Sequence, residues 1–295
     1  RFRYESESLS GQDNRFFRVA LSNGIGGHSG DDIDKGRANA VQLLARFLYS
    51  QLGSGLRLCS VDGGNKRNAI AREAEAVAAV PAASASGFVA AFEMFAADVK
   101  GEYAVTDPDL EFSCIEADPC GTAMSAGVAE SLIASLYAAP HGVLAMSPDI
   151  KGLVETSTNL ASVKMEGNGI IRIGTSQRSS VISAMRAAAA KVEACFRLAG
   201  AEVTHESEYP GWKPDTGSAL LKKCVASYER LFGKKPVVRA IHAGLECGLF
   251  LETYPDLDMI SFGPTLRGVH APGERLDLAS LDRFVRFLED VLTNY

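Results

Sequence analysis

The order of predicted elements repeats along the first two thirds of the chain, and this repeat constrains the fold more than any other feature. Apolar periodicity predicts strand, helix, two strands, helix and strand over 16–22, 35–52, 56–61, 68–80, 86–100 and 110–116. A second set follows: a helix, a hairpin, a helix and a strand over 122–137, 152–165 with 169–176, 180–198 and 201–207. Two split β-α-β lobes in tandem predict an α/β domain with one continuous sheet and its helices on one face.

A junction rich in proline and glycine, Tyr209-Pro-Gly-Trp-Lys-Pro214, separates this repeat from the rest of the chain. It predicts a domain boundary, with one domain over 1–208 and a second over 209–295. Beyond the junction, helices over 218–231, 246–252 and 278–292 alternate with strands over 237–241 and 258–262. That alternation favours a mainly parallel α/β sheet, which binds ligands at the carboxyl ends of its strands.

Composition excludes several classes of protein. The chain has 295 residues, is 46% hydrophobic and carries a net charge of −6, without the basic stripe that nucleic-acid binding requires. No apolar run approaches the roughly 20 residues of a membrane-spanning helix, and we expect neither a nucleic-acid nor a membrane partner. The six cysteines form no C-x-x-C pair, which favours free thiols and a reducing, cytoplasmic location.

Two loops near the end of the chain have the composition of ligand-binding turns. An apolar run ends at His242, Gly244 permits a tight turn, and a helix is predicted to begin at Glu246, so its N-terminus can bind an anion. The second loop places His270 between glycine and proline residues, where an imidazole can contact a metal or a substrate. His270 is the best candidate metal ligand, with Glu274 second, although no other cluster has ligand spacing.

Three residues of the first domain are candidate substrate contacts. His28 lies in a glycine-rich loop, where it either contacts a substrate or caps a neighbouring backbone group. Asn68 follows a predicted turn and either binds a ligand or bonds its own backbone. Arg178 stands at a strand-to-helix corner, where a guanidinium can hold a carboxylate through two parallel hydrogen bonds. His141 and His205 are predicted to face solvent.

Several motifs together resemble one enzyme family over nearly the whole chain and in the same order. They are Gly26-Gly-His-Ser-Gly30, Arg67-Asn-Ala-Ile-Ala-Arg-Glu73, Gly152-Leu-Val-Glu-Thr-Ser-Thr-Asn-Leu160, Arg178-Ser-Ser-Val181, Tyr209-Pro-Gly-Trp212, Ile241-His-Ala-Gly-Leu-Glu-Cys-Gly-Leu-Phe250 and Gly263-Pro-Thr-x-x-Gly-x-His270. The chain resembles the bacterial aminoacyl-histidine dipeptidases, the cytosol non-specific dipeptidases of the di-zinc exopeptidase clan.

The resemblance implies a zinc catalytic domain interrupted by a lid domain, with dipeptides such as Xaa-His as substrates and a homodimer as the assembly. It implies that His270 binds zinc and that His28 polarises the scissile carbonyl. It also implies that Asn68 and Arg178 hold the substrate carboxylate and that Gly244 offers a backbone contact. Residues 1–208 would then be the lid and 209–295 the C-terminal part of the catalytic domain.

The chain departs from the family pattern in its metal ligands. A complete site binds two zinc ions, and the family's remaining ligands and its general base precede the lid, but only His270 of that set is in these 295 residues. We therefore expect a fragment of a dipeptidase that is inactive by itself. The alternative is a non-catalytic module, either a lid-type dimerisation module or one that binds a small carboxylate.

Overall fold

The computed structural model describes residues 1–11, 13–206, 211–212, 215, 217–238, 246–267 and 274–294. Most of these residues fall into two compact units, one ending at 206 and the other beginning at 211. Each unit has its own helices and its own hydrophobic contacts.

Unit 1 is a mixed α/β structure. Its strands are β1 (Phe2–Arg3), β2 (Ser6–Ser8), β3 (Asn14–Ser22), β4 (Gly27–His28), β5 (Arg57–Gly64), β6 (Ala69–Ile70), β7 (Ala74–Pro81), β8 (Glu111–Glu116), β9 (Thr122–Met124), β10 (Gly142–Met146), β11 (Val154–Gly167) and β12 (Ile170–Ser179). Its helices are α1 (Ala40–Ser50), α2 (Ala85–Glu102), α3 (Ala126–Ala138) and α4 (Ile182–Leu198).

One eight-stranded sheet runs through unit 1. Seven strands follow the order β1-β12-β11-β5-β7-β3-β8, and β10 also pairs with β11. Alternate residues of β3 point to the helices, so Phe17, Val19 and Leu21 join a single core cluster with residues of α1, α2, α3 and α4. The predicted order of the first lobe and the continuous sheet are therefore confirmed.

The two lobes meet where β5 pairs antiparallel with β11. Only two residue pairs form this join, Gly63 with Val163 and Gly64 with Ser162. Above it α1 packs against α3. Each lobe therefore contributes one helix and one strand to the junction.

Two predicted elements of the second lobe are wrong. Residues 201–206 form no strand, and the strand beside β12 at this edge of the sheet is β1. Phe2 is buried there and packs edge-on against Phe196, at 6.5 Å between ring centroids. The helix predicted from residue 122 begins at Ala126, because Thr122–Met124 pairs with β2 as a strand.

Unit 2 is mainly helical among its described residues. It contains α5 (Ala219–Phe232), α6 (Glu246–Thr253), β13 (Leu266–Arg267), β14 (Arg275–Leu276) and α7 (Leu278–Thr293). Tyr228, Phe262 and Phe287 pack together, with ring centroids 4.8–5.5 Å apart in the two contacts that Phe287 makes.

The strand predicted over 258–262 is wrong, and residues 237–238, the described part of the strand predicted over 237–241, are not in a strand either. A strand of a parallel sheet needs at least one neighbouring strand to pair with. The described residues of unit 2 supply only the two-residue antiparallel pair β13–β14. No parallel pairing is present in the part of the chain that the structure describes.

One segment is long and apolar enough to cross a membrane when length and composition are the only criteria. It is the 21-residue stretch Ala82–Glu102, which includes α2, and it departs from the expectation that no run reaches that length. Phe88, Phe92 and Val99 of this helix are buried in the core cluster, as in a helix of a globular domain. Length and composition alone are therefore weak support for a membrane span.

His141 is partly buried, whereas the prediction was that it faces solvent. Its Nδ1 accepts from the backbone N–H of Leu160 at 3.2 Å and lies 3.4 Å from the side-chain amide nitrogen of Asn39. Asn39 caps α1 and donates to the Leu160 carbonyl at 2.7 Å, so the three residues tie α1 to β11. Burial lowers the pKa of His141 to about 4. His205 is half exposed and pairs with Glu193, so the prediction that His205 faces solvent is confirmed.

Replacing Gly64 tests the join between the lobes. Gly64 has a positive φ of 61°, and a Cβ there would overlap the carbonyl oxygen of Ala161. We expect Gly64→Ala to lower the free energy of unfolding by about 2 kcal/mol or more in chemical denaturation. The control is Gly87→Ala in α2, where a Cβ meets nothing within 4 Å and stability should rise by about 0.5–1 kcal/mol. Equal effects of the two changes would contradict this account of the join.

The lowered pKa of the partly buried His141 side chain lets us predict how stability depends on pH. The folded state holds His141 neutral, whereas the unfolded state protonates it near its ordinary pKa of 6.5. Stability should therefore be full above pH 6.5 and fall between about pH 6.5 and 4, by up to about 3 kcal/mol. Denaturation at several pH values should show a weaker loss in His141→Gln, whose amide oxygen can still accept from Leu160. His205→Gln should keep the wild-type loss.

Candidate substrate-binding site

The glycine-rich loop that carries His28 is shaped by two glycines with left-handed backbone. Gly26 has φ of 61° and Gly27 has φ of 131°. A Cβ at Gly26 would overlap the side chain of Arg72, and one at Gly27 would overlap those of Arg37 and Asp32. Only glycine fits both positions, which explains the composition of this stretch.

Buried and charged groups hold this loop in place. The carboxylate of Asp107, which is 2% exposed, accepts from the backbone N–H of Ile25 at 2.9 Å and of Ala38 at 3.1 Å. The Nε of Arg72 donates to the carbonyl of Gly24 at 2.7 Å. Both ends of the loop are thus fixed to the body of the first lobe, and the position of His28 is set by the fold.

The hydrogen bonds of His28 define which ring nitrogen carries the proton. Nδ1 accepts from the backbone N–H groups of Gly30 and Asp31, each at 3.3 Å. A nitrogen that accepts N–H donors presents a lone pair, so the neutral ring with these bonds carries its proton on Nε2, whereas a protonated ring could pair through Nδ1 with the Asp31 carboxylate 3.5 Å away. The side chain is 33% exposed. Such an imidazole can donate a hydrogen bond to a carbonyl oxygen.

The turn that carries Asn68 is bound to both the His28 loop and the second lobe. The backbone N–H of Ser29 donates to the carbonyl of Asn68 at 2.8 Å. On the other side, Asn159 of β11 donates to the carbonyl of Ala69 at 2.9 Å, and Ser176 of β12 donates to that of Arg67. The turn therefore lies between the two lobes.

Arg178 completes this arrangement from β12. Its Nε donates to the Ser29 hydroxyl at 3.3 Å, next to His28 in the chain. Burial lowers the pKa of the guanidinium, Asp31 opposes that effect and Arg67 adds to it. A guanidinium withdrawn from water near a second arginine is well suited to bind an anion, because an anionic ligand replaces the lost hydration. The structure thus brings together the segments that carry His28, Asn68 and Arg178.

Sequence reasoning missed two polar residues in the same place. Ser29 is 1% exposed, and Asn159, also 1% exposed, has a side-chain oxygen with no hydrogen-bond partner among the described residues. Asn159 shares its face of the sheet with Ser157, which lies opposite Arg178 in the β11–β12 register. The run Thr156–Asn159 is polar yet buried, and a buried polar run inside a strand was the available signal.

Comparison with known proteins decides the family. Residues 70–294 match the model of peptidase family M20/M25/M40, and residues 19–107 match a peptidase dimerisation domain. The chain belongs to peptidase family M20/M25/M40. The predicted resemblance to di-zinc exopeptidases is confirmed at this level.

Two relatives of this M20 chain are similar to most of its length. It is 36% identical to the cytosol non-specific dipeptidase of Escherichia coli (strain K12) over 94% of the chain and 57% of that protein. It also matches the crystal structure of aminoacylhistidine dipeptidase from Vibrio alginolyticus, with a TM-score of 0.90 and 34% identity, over 99% of the chain and 59% of that structure. The M20 chain therefore spans somewhat under two thirds of the length of both relatives.

The described residues of the M20 chain do not fit a zinc centre. No group of three or more His, Cys, Asp or Glu side chains within reach of one ion occurs among them. Gly244 and His270, as well as His242, lie outside the described residues. Their predicted roles as backbone contact and metal ligand remain predictions.

The proton position on His28 can be measured directly. We expect nitrogen-15 NMR of the neutral side chain to show Nδ1 unprotonated and Nε2 protonated, because two backbone amides point at Nδ1. Asp31→Asn should leave this pattern unchanged, since the donors are main-chain groups. A majority of the Nδ1–H tautomer would contradict the geometry described for this loop.

Proposed function

We propose that this chain is part of a zinc-dependent dipeptidase that cleaves dipeptides such as Xaa-His. In this proposal residues 1–208 form the lid and 209–295 the C-terminal portion of the catalytic domain. The family membership and the names of the two relatives support a dipeptidase. The single observation that carries the proposal is that Arg178 of one lobe contacts the loop bearing His28 of the other.

In the proposed site Arg178 selects dipeptides by their free carboxylate. The guanidinium can form two parallel hydrogen bonds with a carboxylate, a geometry that an amide or an ester cannot reproduce with the same charge. Asn68 would add a hydrogen bond from the adjacent turn. The unpaired side-chain oxygen of Asn159 would accept an N–H of the ligand, which removes the cost of leaving it without a partner.

His28 would act on the carbonyl of the scissile bond. With Nδ1 occupied by two backbone donors, its Nε2–H is the group that can donate to the oxygen, on which negative charge develops during attack by water. The loop is held at both ends by Asp107, so the donor is positioned before the substrate binds. Removal of one such donor commonly slows catalysis by about 10²–10³-fold.

Zinc enters the proposal through the family. A complete site would hold two ions, which polarise the carbonyl and supply an activated water. In this chain His270 is the proposed ligand and Gly244 a proposed backbone contact. Since His270 alone of the family's ligand set is in the sequence, we expect these 295 residues by themselves to retain little zinc and to lack hydrolytic activity.

A homodimer in the cytoplasm is proposed as the working form. The match of residues 19–107 to a dimerisation domain supports the dimer, and the name of the Escherichia coli relative supports the location. Within unit 1, α1 already packs on α3 and β5 on β11. A second copy would therefore contact a surface other than this internal join, and a module that only dimerises would keep that surface without hydrolysing dipeptides.

Binding measurements on this chain test the proposed carboxylate contact. We expect Arg178→Lys to weaken binding of an Xaa-His dipeptide about tenfold in calorimetry, since lysine cannot reproduce the bidentate contact. The matched control is Arg172→Lys in the same strand, because Arg172 is half exposed and pairs with Glu166 at 2.7 Å. It should bind as the wild type does.

Two further measurements distinguish the proposed dipeptidase fragment from a non-catalytic module. A dipeptide with an amidated C-terminus should bind as weakly to the wild type as the free dipeptide binds to Arg178→Lys. Zinc content and hydrolysis of Xaa-His should both be low for the unmodified chain. Equal binding of free and amidated dipeptides would overturn the role of Arg178, and full hydrolysis would show that the metal centre was assigned wrongly.

A further inference from the structure

Two of the six cysteines lie on neighbouring segments of unit 1 that are distant in sequence. Cys59 stands in β5 at the point where the pairing of β5 with β7 shifts register, between Leu58 and Ser60. Cys120 lies in the connection between β8 and β9, directly before Gly121. Because β9 packs along β5, the two segments meet.

A small apolar cluster fixes both segments. Cys59 packs against a cluster of three buried residues, Leu9, Ala79 and Ala123. The backbone N–H of Leu9 donates to the carbonyl of Gly121 at 3.1 Å. Since Ala123 follows Cys120 by three positions and Gly121 follows it by one, the connection is anchored on both sides of the contact with Cys59.

Cys120 is a neighbour of Cys59, and its own thiol donates to the backbone carbonyl of Asp118 at 4.0 Å. Burial raises the pKa of Cys59, and the neighbouring Cys120 sulfur raises it further. Cys59 is therefore held as a thiol that neighbours a second sulfur. Cys195 differs, since burial alone raises its pKa, with no contribution from a second cysteine, and its thiol donates to the backbone carbonyl of Ser135 at 3.7 Å.

We propose that Cys59 and Cys120 form an oxidation site that a peroxide converts into an intramolecular disulfide. The Cys120 thiolate attacks one oxygen of the peroxide, and the O–O bond breaks to give a sulfenic acid and hydroxide, which takes up the thiol proton as water. The Cys59 sulfur then attacks the sulfenic sulfur, its proton leaves with the hydroxyl group as a second water, and the S–S bond forms. Overall two thiols are oxidised and one hydrogen peroxide is reduced to two waters.

The order of attack follows from the surroundings of the two sulfurs. Cys59 is the sulfur whose thiolate is disfavoured, so it acts second, on an already oxidised neighbour. The disulfide would connect β5 to the segment before β9. It would close a loop of the chain that contains β6, β7, α2 and β8. A cross-link between segments so far apart in sequence restricts the unfolded chain and raises thermal stability.

Peroxide treatment of the reduced chain tests the site. We expect the denatured product to contain two fewer thiols than the six of the reduced protein. Peptide mapping without reductant should give a peptide that joins Cys59 to Cys120. The melting temperature should rise by about 5 °C or more and return to its starting value with dithiothreitol. Cys195→Ser, the matched control, should form the same linked peptide.

Single variants separate the two roles. In Cys59→Ser, Cys120 should accumulate as a sulfenic acid that dimedone traps, with no rise in melting temperature. In Cys120→Ser, Cys59 should stay reduced under the same peroxide exposure. A product with all six thiols intact, a disulfide to another cysteine, or a linked peptide with an unchanged melting temperature would overturn the proposal. These measurements do not involve dipeptide binding, so a negative result would leave the proposed function unaffected.

Discussion

The antiparallel join between β5 and β11 is the interaction on which the candidate site depends. It consists of two residue pairs between the end of β5 and the interior of β11, and Gly64 lets the backbones approach because it has no side chain. Directly after Gly64 the chain enters the turn that carries Asn68. On the other side of the join, β11 pairs with β12, which carries Arg178. A change in this register would separate the two groups.

Polar groups make the join specific. Asn39 and His141 satisfy the backbone of Leu160, and Asn159 and Ser176 satisfy the carbonyls of the turn before β6. Such bonds add little net stability when they are formed, but a buried polar group without a partner is costly. They therefore favour one alignment of the lobes over alternatives with the same apolar contacts. The side-chain oxygen of Asn159 is the exception, since it has no hydrogen-bond partner among the described residues.

Much of unit 1 could be predicted from local pattern. Apolar and polar residues alternate in β3, and apolar residues recur with helical spacing in α1. In both elements the residues nearby in sequence are enough to identify the buried face. Local pattern also pointed to His28 and Arg178, because glycine-rich loops and strand ends are places where side chains reach ligands, and their contact with a substrate stays a prediction. The prediction failed where strand pairing joins distant segments: β1, at the start of the chain, pairs with β12, and residues 201–206 form no strand. The strand predicted over 258–262 was wrong for a related reason, since whether a segment forms a strand depends on which other strands it can pair with.

The sequence by itself determined the alternation of strands and helices in each lobe, the need for glycine at 26 and 27, and the family. Only the tertiary structure decided that Ser29 and Asn159 belong with Arg178, that His141 is partly buried against α1 and β11, and that Cys59 neighbours Cys120. The physical reason is that periodicity reports which face of an element is buried, whereas these contacts depend on strand pairing between segments far apart in the chain.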